Sequence, residues 1–393
     1  MRSRKAHNYL SWVEVDLKAI RHNFRQIRSM VRARQVELLP YPGKGRKAFR
    51  FPEVLTVIKA DAYGHGMIQV ADALKRMAVE FLGVSDVPEG IRLRKNGIKD
   101  NILLLETSLP SQAKDIVDYT LIPTVCTRPL AASLNTYAKK IGRTVDVHIK
   151  VDTGMGRLGV SRRDAEDFIK EVMKFKNVSV KGLYTHFPMA DSAPDYTVSQ
   201  VQQMHDLVKI LDQQGLVVPY VHAANSAGLI DYQAGIFNLV RPGIMLYGLY
   251  SDIRLARKVK LQPAMSVKTR MIFIKTILKG QGISYGHTFV APRDLVAAVL
   301  PIGYSDGYFR SLSNKSSVLV DGLRCPLLGR VTMDQIVVDV SRVPGVKIGQ
   351  TAVILGKQKQ AEITADELAG HAGTINYEIL CSLGNRLPRV YKN

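Results

Sequence analysis

The sequence predicts a closed parallel (β/α)8 barrel of the TIM type, followed by a mostly β C-terminal domain. Eight β-type runs alternate with helix-type runs between residues 54 and 241, as in parallel strands joined by crossover helices. Near Leu261 the pattern changes to short β-type runs separated by Gly and Pro. A chain of 393 residues with 46% apolar residues can form two cores. We therefore expect a barrel over residues 11–255, a β-rich domain over 256–393 and an N-terminal extension over 1–10.

The barrel segment begins with a short strand over residues 11–15 and an amphipathic helix. Asp16 is a suitable cap for this helix, because apolar residues from Leu17 to Val31 recur at helical spacing. A basic loop, residues 39–51, comes next. The predicted barrel strands are residues 54–58, 81–85, 102–105, 121–125, 145–151, 178–186, 220–224 and 237–241. An open doubly wound parallel sheet is the alternative that this pattern leaves open.

The C-terminal segment has the pattern of a separate β domain. Its β-type runs are residues 266–277, 294–300, 317–320 and 351–355. A single helix, residues 364–370, is predicted to interrupt them.

The composition excludes several classes of protein. The net charge is +21, but Lys and Arg are dispersed, so the cluster in residues 44–50 indicates solvated charge and no nucleic-acid partner is predicted. Cys126, Cys325 and Cys381 are widely separated, which argues against a disulfide framework and a metal site and favours a reducing compartment. Neither a signal peptide nor a membrane-spanning run is visible. These observations predict a cytoplasmic protein without membrane association.

The run TVIKADAYGHG, residues 56–66, is the strongest candidate for a catalytic segment. Lys59 lies at the carboxyl end of a predicted buried strand, and Gly64 and Gly66 are expected to make the tight turn that follows. A lysine in such a place loses its proton more easily than a surface lysine and can attack an aldehyde. Pyridoxal phosphate is held by a lysine in this way. A surface lysine before a turn is the simpler alternative.

The run DTGMGRLG, residues 152–159, contains G-x-G-x-x-G and could suggest a dinucleotide-binding dehydrogenase. That fingerprint opens its domain and is followed about 20 residues later by an acidic residue that binds a ribose. Here four predicted strands precede the run, and the next strand ends with Tyr184, Thr185 and His186. A glycine-rich loop at the rim of a barrel is therefore the better interpretation.

Polar groups also follow the last three predicted barrel strands. His186 ends the sixth strand, and Asn225 and Ser226 follow the seventh. In (β/α)8 barrels the loops after strands seven and eight often bind phosphate, and Ser226 with the amides of Gly243 and Ile244 are suitable donors.

Arg241 ends the eighth predicted strand and is informative because of what it cannot do. An aminotransferase-like site places a carboxylate at the pyridine nitrogen of the cofactor, which keeps that nitrogen protonated. A guanidinium has only donors and cannot accept that proton. If Arg241 occupies this position, the ring is a weaker electron sink and transamination is discouraged.

These motifs resemble those of the alanine racemase family, which are pyridoxal-phosphate enzymes of fold type III. The resemblance covers nearly the whole chain, with the motifs in family order. The matching runs are residues 56–66, 150–159, 182–187, 222–228, 241–244, 282–289, 303–308 and 329–335.

The resemblance implies a role for each matching residue. Lys59 would form the pyridoxal-phosphate aldimine and act as the base on one face of the substrate, with Tyr285 as the base on the other. Arg157 would contact the phenolic oxygen, Arg241 the pyridine nitrogen, and His186 would link Arg241 to the catalytic base. The implied cofactor-binding residues are Lys59, Tyr63, Arg157, His186, Asn225, Ser226, Arg241, Gly243 and Ile244. Arg157, Met333 and Tyr304 are implied to bind the substrate, and Lys150 is a candidate for carbamylation.

The implied activity is interconversion of L- and D-alanine by two bases, which supplies D-alanine for peptidoglycan. The resemblance also implies a homodimer in which Tyr285 and Met333 enter the barrel of the partner. A racemase of broader specificity and a related barrel decarboxylase are the enzymatic alternatives. A non-catalytic cofactor carrier is disfavoured, since single-barrel carriers lack the β domain with its tyrosine.

Two features depart from the family pattern. The loop 39–51 is longer than usual before the cofactor lysine, so its conformation is not predicted. Asn385 stands where some relatives carry a tyrosine that contacts phosphate, so this contact is not expected here.

Overall fold

The computed structural model describes residues 9–33, 51–77, 79–232 and 237–393. The predicted loop 39–51 therefore lies outside the described residues except at Phe51, as does the extension 1–10 except at Tyr9 and Leu10. The described residues divide into two compact units. The barrel unit lies within residues 20–62 and 67–262, and the β unit comprises the described residues up to 19 together with 63–66 and 263–393.

The first strand, β1 (Ser11–Asp16), is followed directly by helix α1 (Leu17–Ala33). Oδ1 of Asp16 accepts hydrogen bonds from the backbone N–H groups of Lys18 and Ala19, at 2.7 and 3.1 Å. The predicted cap is therefore present, and it satisfies two of the free N–H groups of the first turn.

The barrel unit contains a parallel sheet whose strands are buried on both faces, as expected for a sheet covered by helices. Within the described residues its strands are β2 (Glu53–Val57), β3 (Phe81–Val84), β4 (Asn101–Thr107), β5 (Ile122–Val125), β6 (Val145–Asp152), β7 (Val160–Ser161), β8 (Val178–Tyr184), β9 (Tyr220–His222) and β10 (Leu239–Val240). Hydrogen bonding joins them in the order β10-β2-β3-β4-β5-β6-β8-β9, and the short β7 pairs with β6.

Side-chain and loop hydrogen bonds bridge β9 and β10, the two ends of this order. Oδ1 of Asn238 accepts from the backbone N of Val221 and its Nδ2 donates to the carbonyl of Pro219, both at 2.7 Å. Beyond the strands, the backbone N of Arg241 donates to the carbonyl of Ala224 at 2.9 Å. The predicted barrel is thus confirmed, and the open doubly wound alternative is wrong because the first and last strands of the order meet.

Helices connect the barrel strands as the alternation predicted. In the described part of the barrel unit they are α2 (Lys59–Tyr63), α3 (Met67–Lys75), α4 (Val87–Lys95), α5 (Ala113–Asp118), α6 (Arg128–Lys140), α7 (Ala165–Met173), α8 (Pro194–Gln213) and α9 (Ser226–Asp231). The element α2 has left-handed backbone angles and runs into the β unit.

The β unit contains three sheets and two helices within the residues described. Its strands after β1 are β11 (Met265–Arg270), β12 (Phe273–Ile277), β13 (Gly282–Ile283), β14 (Phe289–Val290), β15 (Leu295–Leu300), β16 (Ser317–Val320), β17 (Leu323–Pro326), β18 (Ile336–Asp339), β19 (Thr351–Gln358), β20 (Ala361–Ile363) and β21 (Arg389–Lys392). The helices are α10 (Ala365–Ala372) and α11 (Asn376–Ser382). The sheet orders are β17-β16-β19-β11-β1-β21 with β20 on β19, then β12-β15-β18, and β13-β14.

Three local expectations are corrected here. Strand β1 lies between β11 and β21 in a sheet of the β unit, and not in the barrel segment to which the sequence assigned it. The predicted run 266–277 is two strands in different sheets, since the chain breaks its pairing after Arg270. A second helix, α11, follows the predicted one.

Candidate active site

Lys59 follows β2 and begins a turn of unusual hand. Ala60, Asp61, Ala62 and Tyr63 have φ angles of 52°, 51°, 58° and 52°, in the left-handed region. A left-handed conformation costs an L-residue about 1–2 kcal/mol, so four in succession store roughly 4–8 kcal/mol. The left-handed backbone therefore begins before the predicted glycines, and it continues at Gly64 and Gly66, whose φ angles are 77° and 92° as the predicted turn requires. Such strain persists only where surrounding structure holds it, and it is typical of functional sites.

Arg241 is the central charge of the barrel unit. Its side chain is 4% exposed, and no carboxylate among the described residues forms an ion pair with it. Nη2 donates to the carbonyls of Thr185 and Ala223 at 2.7 and 2.9 Å, and Nη1 donates to Nδ1 of His222 at 2.9 Å. Burial lowers the pKa of Arg241 to about 10, so the guanidinium stays charged at neutral pH.

Two buried histidines continue from Arg241 into the barrel. Because a guanidinium can only donate, Nδ1 of His222 is the acceptor and its neutral ring carries the proton on Nε2. That N–H then donates to Nδ1 of His148 at 2.9 Å, which puts the proton of His148 on Nε2. Gly182 leaves room for this arrangement, because a Cβ there would lie 2.2 Å from Nδ1 of His148.

The charge state of these histidines follows from their surroundings. Burial and the charge of Arg241 lower the pKa of His148 to about 3 and hold the pKa of His222 well below its ordinary value. The ring of Tyr184 stacks on that of His222, with centroids 4.6 Å apart, and the guanidinium of Arg241 lies 5.1 Å from the Tyr184 ring. The cation is thus held by neutral groups with fixed proton positions.

Four cationic side chains surround His186. Burial and the charges of Arg241, Lys150, Arg157 and Lys59 hold the pKa of His186 well below its ordinary value. Nη2 of Arg241 reaches Nδ1 of His186 at 3.4 Å, a longer contact than its bonds to the carbonyls. The structure therefore brings together five of the predicted site residues at the carboxyl ends of β2, β6, β8 and β10.

Lys150 lies inside this group and is nearly completely buried. Burial, followed by the charges of Arg241 and Arg157, lowers its pKa to about 8. Its Nζ lies 5.5 Å from the centre of the Tyr184 ring. Near neutral pH an appreciable fraction of this amine is consequently uncharged.

The loop that carries Arg157 is organised by Asp152. The carboxylate of Asp152 accepts hydrogen bonds from the backbone N–H groups of Gly154, Met155 and Gly156, at 2.8 to 3.2 Å. Tyr196 donates its hydroxyl to the carbonyl of Gly154 at 2.7 Å. The G-x-G-x-x-G run is therefore a rim loop whose amides are already occupied by a carboxylate, which does not suit a pyrophosphate.

The loops after β9 and β10 meet at Ser226. Its Oγ accepts from the backbone N of Gly243 at 2.9 Å and from that of Met245 at 3.5 Å, so its hydroxyl hydrogen is available to donate. Asn225 braces the loop backbone, because its Oδ1 accepts from N of Gly228 at 2.9 Å and its Nδ2 donates to the carbonyl of Phe187 at 3.1 Å. Ile244 is buried at the start of the following helical turn.

In the β unit, Tyr63 is buried beside Tyr377, with ring centroids 6.1 Å apart. Burial, with smaller contributions from Tyr377 and Cys381, raises the pKa of Tyr63, so its hydroxyl keeps its proton and can donate. Arg389 fixes the following residue, because its Nε donates to the carbonyl of Gly64 at 3.1 Å.

Tyr285, Tyr304 and Met333 are large side chains that the β unit leaves exposed, by 72%, 44% and 54%. The carbonyl of Met333 accepts from both N and Oγ of Ser305, at 3.0 and 2.7 Å, which joins the Tyr304 and Met333 segments. Arg386 pairs with Asp334 at 2.8 Å. Asn385 is exposed at the neighbouring turn.

Sequence reasoning did not select His222, His148, or the residues that hold the turn after Lys59. His222 ends β9, as His186 follows β8, so its position at a strand end was an available signal. His148 lies within β6 and had no comparable signal. Within the described ranges no cluster of His, Cys, Asp or Glu could hold a metal, and no helix there is long and apolar enough to cross a membrane.

The barrel and its cation-lined mouth define a (β/α)8-barrel enzyme with a positively charged site. Family models for the alanine racemase N-terminal and C-terminal domains match residues 46–251 and 264–391. The chain belongs to the alanine racemase family, which confirms the membership and the racemase class that the motifs predicted.

This chain is similar to alanine racemase sequences and solved structures over almost its full length. An alanine racemase of Halothermothrix orenii is 41% identical over 98% of this chain and 97% of its own. The alanine racemase structure from Clostridium difficile 630 superposes with a TM-score of 0.89 at 33% identity, covering 98% and 96% of the two chains. A Bacillus anthracis alanine racemase structure with bound L-Ala-P has a TM-score of 0.87 at 32% identity, covering 98% and 95%.

The buried histidines should make stability depend on pH. Unfolded His148 titrates near 6.5 and the folded residue near 3, so stability should fall as pH decreases below about 6.5, at about 1.4 kcal/mol per pH unit for this residue. Replacing His148 with Asn keeps an acceptor for His222 but removes the titration. We expect the free energy of unfolding, measured with urea between pH 7 and pH 5, to fall less steeply with decreasing pH in H148N than in the wild type. At pH 5 the two slopes should differ by about 1.4 kcal/mol per pH unit, which corresponds to one proton. Parallel pH dependences in the two proteins would contradict the neutral, buried state of His148.

Proposed function

We propose that this protein interconverts L- and D-alanine with pyridoxal 5′-phosphate as its cofactor. The observation that carries the proposal is the buried Arg241, which pairs with no carboxylate among the described residues and which lies with Lys59, Lys150 and Arg157 near His186 at the mouth of a parallel barrel. A positive site of this kind favours a ligand with several anionic groups, such as the phosphate and phenolate of this cofactor and the carboxylate of an amino acid.

The residues present fit this cofactor. Ser226 as a hydroxyl donor, with the amide of Ile244, suits the phosphate, and Asn225 shapes the phosphate loop. The resemblance also implies Tyr63 and Gly243 for the phosphate, although the amide of Gly243 already donates to Oγ of Ser226. Arg241 suits the pyridine nitrogen, because its bonds to His222, Thr185 and Ala223 use three of its five N–H groups. Arg157 suits the phenolic oxygen, and Lys59 is the lysine for covalent attachment. The cofactor, when bound, makes the α-proton of an attached amino acid acidic by delocalising the electron pair.

Lys59 and Tyr285 would be the two bases. Racemisation needs a proton removed from one face of the α-carbon and returned to the other, so each face requires its own group. Lys59 acts on one face, and the tyrosine hydroxyl acts on the other. His186 would link Arg241 to this tyrosine, as the resemblance implies.

Arg241 would also limit side reactions. Its pKa of about 10 leaves it a donor to the pyridine nitrogen throughout the physiological range. A pyridine that receives a hydrogen bond, but no proton, withdraws electrons less strongly than a pyridinium. Negative charge therefore stays closer to the α-carbon, and the two bases must assist removal and return of its proton. Return of the proton to the α-carbon is then favoured over transamination.

Lys150 is suited to carbamylation. With a pKa of about 8, part of the amine is neutral near pH 7.5 and can react with carbon dioxide. The resulting carbamate would place a negative charge beside Arg157 and Arg241 and would orient Arg157.

Labelled bicarbonate should become bound to the wild-type protein as a carbamate and not to a K150R variant. Equal labelling of both proteins would exclude the modification.

The substrate groups would come from the β unit of a second copy. Tyr285, Tyr304 and Met333 are exposed on loops that are braced to their own neighbours, as expected of side chains that enter a partner. We propose a homodimer with shared active sites, in which Met333 and Arg157 bind the substrate carboxylate and the tyrosines keep the pocket small. A small pocket favours alanine over longer amino acids, and a racemase of broader specificity is the alternative.

The cellular setting follows from the same proposal. Among the described residues no cysteine forms a disulfide, which suits the reducing cytoplasm. D-Alanine made there would supply the peptide of peptidoglycan.

Chiral analysis of products tests the function. Purified protein supplied with pyridoxal phosphate should convert L-alanine to an equal mixture of enantiomers, and should act far more slowly on L-serine, L-lysine and L-glutamate. Racemisation of all four at similar rates would favour the broader racemase. Formation of an amine with release of carbon dioxide would favour a decarboxylase, and no turnover of any of them would exclude the proposal.

Mixing two inactive variants tests the shared site. K59A and Y285F should each be nearly inactive, because each removes the group that serves one face. After dissociation and random reassociation of equal amounts, half of the dimers are mixed and each holds one intact site. Activity should therefore return to about a quarter of that of wild-type protein treated identically.

The control for this experiment is each variant reassociated with itself, which should stay inactive. If mass spectrometry of differently tagged subunits confirms exchange and no activity returns, Lys59 and Tyr285 belong to one chain and the shared site is wrong.

A further inference from the structure

The strained turn after Lys59 is held by a carboxylate from another helix. Glu89 lies in the first turn of α4 and is half-buried. Its Oε1 accepts from the backbone N of Asp61 at 3.2 Å, and its Oε2 accepts from the backbone N of Ser85 at 2.8 Å. One side chain therefore ties the left-handed turn to the residue that follows β3.

Asp61 extends the same connection. Its Oδ1 accepts from the backbone N of Met67 at 3.0 Å and from Nη1 of Arg92 at 2.9 Å. Arg92 lies on α4 one turn after Glu89, so α4 holds both the backbone and the side chain of Asp61. The carbonyl of Ile58 also accepts from N of Ala62, at 2.8 Å.

These contacts hold residues 60–63, whose backbone would otherwise leave the left-handed conformation. No glycine stands at positions 60–63, and L-residues rarely keep left-handed angles in succession. Lys59 is the residue immediately before them, so the direction in which its side chain leaves β2 depends on the turn.

We propose that Glu89 is a positioning residue for Lys59. Its carboxylate holds the turn 60–63 in the left-handed conformation and thereby aims the Lys59 amine. Asp61 and Arg92 support it. This inference rests on the proposed function, because it assigns a purpose to the direction of Lys59. Glu89 makes no contact with substrate or cofactor in this proposal.

Glutamine at position 89 is the sharpest substitution. It has the size of glutamate but one acceptor oxygen, so it can serve either Asp61 N or Ser85 N and presents an N–H to the other. E166Q is the matched control, since Glu166 lies in the first turn of α7 in the same unit and accepts only from the side chains of Lys170 and Gln214.

Two readouts distinguish positioning from general destabilisation. In hydrogen exchange of the cofactor-loaded protein, amides of residues 60–64 should exchange at least about fivefold faster in E89Q than in E166Q, with barrel strands unchanged. In kinetics, kcat for L-alanine should fall about tenfold or more while KM stays within about twofold, because a misdirected lysine slows chemistry more than binding.

Glycine substitutions test the strain directly. Ala60 is exposed and left-handed, so A60G should raise the unfolding midpoint and, combined with E89Q, should restore part of the protection and of kcat. Ala132 in α6 has ordinary helical surroundings, so A132G should lower the midpoint instead.

The possible failures are separable. If the wild type does not racemise alanine, the proposed function is wrong, while exchange at residues 60–64 still decides whether Glu89 holds the turn. If E89Q matches E166Q in exchange and in kcat, Glu89 is not a positioning residue. If exchange rises and kcat is unchanged, the turn is held by Glu89 but does not aim Lys59, and the proposal is overturned.

Discussion

The buried positive charge of Arg241 is the constraint on which the barrel interior depends. A charge inside a protein is costly unless it is bound by suitable groups, and here those groups are carbonyls and an imidazole instead of a carboxylate. His222 must therefore be neutral and accept through Nδ1, and His148 must accept from His222. Gly182 must lack a side chain for His148 to fit. The pairing of β6 with β8 shifts between Val147 and His148, at the same place. One cation thus fixes the proton positions of two histidines, and their packing involves residues of β6, β8 and β9.

A second cost lies after the neighbouring strand, β2, and is conformational. The left-handed residues after Lys59 are strained, and the hydrogen bonds of Glu89 and Asp61 offset this strain. The two costs are of different kinds, yet both concern residues that follow barrel strands. Each is tolerated because the barrel is rigid: β2 is bonded on both sides, to β10 and to β3, so the strained turn starts from a fixed point.

Much of the architecture could be predicted from local pattern. The alternation of strands and helices indicated the barrel, and the rule that parallel strands end at one face placed Lys59, His186 and Arg241 together. Asp16 was predictable as a cap because capping is a local interaction. The predicted roles of Tyr285, Tyr304 and Met333 depend on a second copy and stay predictions, as does the domain boundary near residue 255.

The predictions that were wrong, and the residues that were missed, involve interactions that the neighbouring sequence does not indicate. The placement of β1 depends on Met265–Arg270 and Arg389–Lys392, and nothing near Ser11 indicates those partners. The hand of the turn at Ala60 was missed because alanine has no preference for left-handed angles, and the contacts of Glu89 and Arg92 with Asp61 come from residues distant in the sequence. The helix α11 was missed because its 7 residues span too few turns for a helical period to show in the sequence. His148 was missed because a histidine inside a strand has no distinguishing neighbours in sequence.

The position of β1 has a consequence for synthesis in the cell. This strand is synthesised before both of its neighbours in the sheet, β11 (Met265–Arg270) and β21 (Arg389–Lys392). At roughly 5–20 residues per second, β1, with its apolar Trp12, Val13 and Val15, waits on the order of tens of seconds for β21. The barrel can fold during that time, whereas this sheet cannot be completed before β21 is synthesised. An unpaired strand can pair with other chains, so the delay exposes the nascent chain to aggregation.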